Sequence, residues 1–116
     1  MRIAASWTCE TLPSITWRMR SFWLAFTAGR IVSQEWVAEM TRSRSVVPRD
    51  SGGTRGYGLG FWLRSEGDGA ILVGSDAGVS FFSLHAPDAD ITYSVISNRT
   101  DGAWDLAASL EERLLG

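Results

Sequence analysis

The second half of the chain holds the residue types of a hydrolytic triad: Ser75 beside Asp76, His85 ten residues on, then Asp88 and Asp90. A serine hydroxyl becomes a nucleophile when an imidazole takes its proton and a carboxylate holds that imidazole, and the order of the three along a chain is free. The Gly-x-Ser-x-Gly elbow that would expose such a serine does not occur. His85 stands before Ala-Pro-Asp at what reads as a strand end, with no nucleophile paired to it, so it reads as an ordinary turn-flanking histidine. A second route activates serine with a lysine three residues later. That route is closed, because the 11 basic residues are all arginine.

Other chemistries are excluded by count. One cysteine, Cys9, rules out an intramolecular disulfide or a multi-cysteine metal site and reads as a plain free thiol. One histidine rules out zinc held by two or more imidazoles. Asp88 and Asp90 share a turn, where carboxylates are solvated more often than they bind cations. Gly52-Gly53 lacks the Gly-Lys-Ser/Thr ending of a phosphate loop, and Gly58 and Gly60 read as strand residues. Ser80 and Ser83 fall on opposite faces of one strand and read as filler. No cofactor is expected.

The elements that must position these residues belong to one domain, since 116 residues allow a single core and hardly two. A net charge of −2 with scattered arginines supplies no field for nucleic acid or an anionic membrane. No stretch approaches the roughly 20 apolar residues of a membrane span. The first residues do not read as a signal peptide, their apolar run being broken by Ser6, Thr8 and Glu10, so the chain as given is expected to be soluble and cytoplasmic. Six tryptophans point to a large core.

Residues 1–14 show no clear period and are expected to form a weakly ordered arm before a domain over 15–116. Ile15, Met19, Phe22 and Phe26 lie on one helix face, with Ser14 as its cap and Gly29 as its left-handed stop. Ser33 caps a second helix carrying Trp36, Val37 and Met40. Residues 43–56 read as a polar loop. The period then becomes two, predicting a strand over 57–64; a short apolar run predicts another over 70–74, and strands follow over 79–85 and, from its good strand formers, 91–97. A last helix starts at Thr100 or Asp101, with Ala103, Leu106, Ala107, Leu110 and Leu114 as its apolar stripe. The expected class is α+β: two helices, an antiparallel meander of about four strands, and a helix packed on the sheet.

Across roughly 18–115, the tracts RSFWLAFTAGRIVSQEWVAEM, GYGLGFW and GSDAGVSFFSLHAPDADITYSVISN, in that order, resemble the C-terminal portion of the β-lactamase/penicillin-binding-protein family of serine hydrolases. The resemblance implies a partial fold of that kind and, for a whole member, acyl transfer from an amide or ester through a serine. Of the family's active-site elements only the Lys-Thr-Gly or His-x-Gly strand motif maps here, onto Ser75, Asp76 and Ala77. The backbone N–H of Gly78 then stands as the oxyanion donor. Ser75 lacks the family's positive charge, Asp76 adds a negative one, and Ala77 replaces a glycine. Without Ser-x-x-Lys the chain is expected to be catalytically incomplete alone, as a gene fragment or a product of an internal start. The alternative is an interaction module that pairs through an exposed sheet edge, with a second copy or the missing N-terminal part of the hydrolase as partner.

Overall fold

The computed structural model describes residues 2–5, 12–50 and 52–116, with side chains from residue 17 onward. Cys9 lies outside the described residues. Ten elements follow in chain order: β1 (Arg2–Ala5), α1 (Leu12–Thr27), α2 (Gln34–Met40), β2 (Ser45–Pro48), β3 (Thr54–Tyr57), β4 (Trp62–Leu63), β5 (Ala70–Asp76), β6 (Val79–Ala86), β7 (Ile91–Ser97) and α3 (Trp104–Leu115). The strands form one sheet in the order β1-β7-β6-β5-β4-β3-β2. β2 to β7 pair antiparallel, and β1 joins the far edge parallel to β7.

The α+β class stands, while the expected strand count of about four is too low. Two strands come from the polar stretch 43–56, where β2 and β3 pair from Ser45↔Tyr57 to Pro48↔Thr54. The predicted strand 57–64 is two strands joined by a turn. Its alternation of large residues and glycines mimics a strand, but Gly60 sits at φ 85 and reverses the chain. The Gly58 N–H donates to the Phe61 carbonyl at 2.8 Å, and the Leu59 N–H to the Met40 carbonyl at 2.9 Å. A side chain on Gly58 would run into that same Met40 carbonyl. Tyr57 therefore lies opposite Trp62, their rings 4.9 Å apart and edge to face.

In the stretch expected to be an arm, Arg2–Ala5 is a strand and α1 already begins at Leu12, so Ser14 lies within the helix rather than at its cap. Gly29 ends α1 as expected, at φ 75, with the Arg30 N–H reaching the Ala25 carbonyl at 2.9 Å. Ser33 caps α2 by accepting from the Trp36 N–H at 3.4 Å.

The core lies on both faces of the sheet. On one, α1 and α2 bury Trp23 and Phe26 against Phe61 and Ala70, with Met19, Phe22, Val37 and Leu72 around them. On the other, α3 packs Ala103 and Ala107 onto Ile71, Phe82, Leu84, Tyr93 and Val95. Burying Trp23 alone is worth at most about 5 kcal/mol. The expected stripe of α3 needs one correction: Leu106 is exposed, and Trp104 and Leu115 pack on the core instead, so the buried face is turned away from Leu106 towards Trp104. No helix among the described residues is long and apolar enough to cross a membrane.

Candidate functional site: the β5–β6 hairpin

β5 and β6 pair along seven residues, from Ala70↔His85 to Asp76↔Val79, and Ala77 and Gly78 close the hairpin. Gly78, the second residue of this two-residue turn, holds φ 77, a left-handed conformation that glycine takes without strain. Ser75, Asp76, Ala77 and Gly78 are all exposed at this end. The outer side of β5 is asymmetric. β4 pairs only with Ala70 and Ile71, so among the described residues Leu72–Asp76 face no strand there. At about 3.4 Å per residue this leaves an open edge of roughly 17 Å.

The polar groups of the turn already have partners. An Asp76 carboxylate oxygen (Oδ1) accepts the Ala77 N–H at 2.7 Å, and the Gly78 N–H donates to Thr100 Oγ1 at 2.9 Å. Asp76 forms no ion pair among the described residues. Ser75 lies directly opposite Ser80 in the ladder. The site thus offers an open strand edge, an uncompensated carboxylate and one backbone donor held by a hydroxyl.

His85 is at the other end of the ladder. Five residue steps separate its partner Ala70 from Ser75, roughly 17 Å, so the triad of Ser75, His85 and an aspartate is not assembled. Nor does His85 flank a turn in solvent: it is 3% exposed, stacked on Trp23 at 5.8 Å, with Nδ1 2.7 Å from Thr92 Oγ1. Burial lowers its pKa, Asp68 and Asp90 oppose that shift, and Arg20 adds to it. The Asp88 N–H donates to Asp68 Oδ2 at 3.1 Å, and Asp90 sits at φ 52 in its turn. Among the described residues no three His, Cys, Asp or Glu groups converge as a metal site would require.

Ser80 and Ser83 do occupy opposite faces, as their spacing predicts, yet neither is filler. Ser80 Oγ donates to the Arg99 carbonyl at 2.8 Å and accepts the Ala103 N–H at 3.0 Å, fastening the start of α3. Ser83 Oγ accepts Trp23 Nε1–H at 2.9 Å and lies 2.9 Å from Ser94 Oγ. The available signal is that both hydroxyls interrupt the apolar stretch Val79, Phe81, Phe82 and Leu84, where a buried polar group must find a partner. On the α3 face Tyr93 O–H donates to the Ala107 carbonyl at 3.1 Å, and burial raises its pKa far above the usual tyrosine range. Glu111 bridges Arg55 at 3.3 Å and Arg64 at 3.5 Å, tying α3 to the β3–β4 hairpin.

The fold so built is similar to the crystal structure of a penicillin binding protein from Bacillus halodurans, with a TM-score of 0.72 and 23% identity over 84% of this chain. The chain spans 30% of the length of that protein. No protein-family model matches the chain, and no curated protein matches it.

Proposed function

We propose that the chain is the C-terminal sheet-and-helix portion of a β-lactamase-like serine hydrolase, supplying one wall of an acyl-transfer site and no nucleophile. The observation that carries this reading is the exposed, unpaired outer edge of β5 ending in Ser75, Asp76 and Ala77, within a fold like that of a penicillin binding protein. An extended acyl substrate fits such an edge by completing its hydrogen bonds. The negative Asp76 and uncharged Ser75 favour esters or amides without a carboxylate over anionic ones. Gly78 serves as oxyanion donor in this reading only if Thr100 releases its N–H, so Thr100 sets that donor's availability. The absence of lysine removes Ser-x-x-Lys from anywhere in the chain.

The test is hydrolysis of a chromogenic cephalosporin and of p-nitrophenyl acetate by the folded chain and by Ser75→Ala. Neither protein should exceed buffer. Turnover by the unmodified chain that Ser75→Ala abolishes would overturn the reading.

The same edge favours one second reading, a non-catalytic interaction module. Val73 is 44% exposed on β5, and the edge Leu72–Asp76 carries neither proline nor lysine to block pairing. Sedimentation separates the two. A module that pairs through β5 gives a defined dimer that Val73→Pro returns to monomer, whereas a hydrolase portion gives none.

A further inference from the structure

Trp23 fastens α1 to the sheet through three contacts. Its indole N–H reaches Ser83 Oγ at 2.9 Å, its ring meets Phe61 at 5.6 Å, and its face lies on the His85 imidazole at 5.8 Å with the planes 18° apart. Trp23 is fully buried and His85 nearly so. The bed on which α1 rests therefore includes one group that changes charge between pH 5 and 8. It is the only histidine in the chain.

The surroundings of His85 are mixed in sign. α1 contributes Arg20, whose charge opposes a proton on the ring. The β4–β5 turn contributes Asp68 and the β6–β7 turn Asp90, both of which favour a proton, and β7 contributes the neutral Thr92 hydroxyl at Nδ1. An imidazolium over an indole face also gains cation–π attraction. Against these stands removal of the ring from water, which outweighs the two carboxylates and holds the folded-state pKa below the ordinary value.

We propose that His85 is a proton-operated fastening for α1: the neutral ring holds Trp23 and its helix on the sheet, and protonation loosens them. The sign follows from linkage. A histidine whose pKa is depressed by docking contributes its full stabilisation above its undocked pKa, and loses it as pH falls below that value. As pH falls from about 7.5 to about 5.5 the docking equilibrium falls with it, by at most about tenfold per pH unit. β5, β6 and β7, paired to one another and covered by α3 on their other face, keep their structure while α1 opens.

The experiment follows the single imidazole by NMR across this range, alongside amide exchange of α1 corrected for intrinsic rates. The expected result is lower protection of α1 amides at about pH 5.5 than at about pH 7.5, with β6 and β7 amides unchanged. In His85→Gln the α1 protection should not vary with pH. α1 protection constant with pH in the unmodified chain, or lost equally from all three strands, would overturn the proposal. So would an identical pH dependence in His85→Gln. If that variant fails to fold, the unmodified chain still decides: loss of α1 protection must begin at a higher pH than the one at which the docked ring titrates.

Discussion

Ser80→Ala isolates the joint between the β5–β6 hairpin and α3. The hydroxyl is fully buried, donates to the Arg99 carbonyl at 2.8 Å and accepts the Ala103 N–H at 3.0 Å. It does for α3 what a capping side chain does from within a helix, since Ala103, the residue at the cap, has no side-chain acceptor of its own. Its removal leaves the Ala103 N–H in a place where water does not reach, because Ala103 is itself fully buried. A lost cap costs about 1 kcal/mol and an orphaned buried donor about 1–3 kcal/mol, and the two overlap here, so the expected loss is about 2 kcal/mol. With about 2.1 cal/mol/K of unfolding entropy per residue over 116 residues, Tm should fall by about 8 °C. Urea unfolding followed by tryptophan fluorescence and far-UV circular dichroism measures the loss. Ser75→Ala is the internal control: directly across the ladder from Ser80 but exposed, it should change stability by less than about 0.5 kcal/mol. Equal effects of the two substitutions would refute the capping role.

Two further outcomes follow from the α3 face. Tyr93 has a folded-state pKa raised by burial, so its contribution is complete below the ordinary value of about 10 and is lost above it, by up to about 1.4 kcal/mol per pH unit. No lysine titrates in that window, so Tyr93→Phe, which gives up about 1 kcal/mol of hydrogen bond at neutral pH, should flatten the alkaline melting curve. Glu111→Gln leaves Arg55 and Arg64, whose side chains are 12% exposed, without their shared carboxylate, and should cost about 2–3 kcal/mol in chemical denaturation.

Several elements were legible in the residues. Gly29 and Ser33 mark the end of α1 and the start of α2 by local chemistry alone, and the strand-forming residues of 79–85 and 91–97 give β6 and β7, both buried over much of their length. The misses share a cause. β2 is exposed along its whole length, so no hydrophobic face imprints a period on Ser45–Pro48. Tyr57–Leu63 has a period of two through glycines placed for a turn, and periodicity alone does not separate these cases. The candidate site followed the same rule. Ser75 to Gly78 were visible as a turn between strands, whereas the Thr100 hydroxyl on the Gly78 N–H joins residues 22 apart in sequence and depends on how β7 hands over to α3. His85 reads as an ordinary turn-flanking histidine because Ala86, Pro87 and Asp88 follow it. Its burial comes from Trp23, 62 residues earlier, on a helix whose docking no local signal records.

The central claim is that this fold carries a strand wall of an acyl-transfer site with no activated serine. Incubating the folded chain with a serine-reactive fluorophosphonate and reading intact mass tests it most directly. The expected result is an unchanged mass for a chain whose circular dichroism and cooperative melting show it to be folded. A single stoichiometric adduct would contradict it, because a live nucleophile would then exist without lysine.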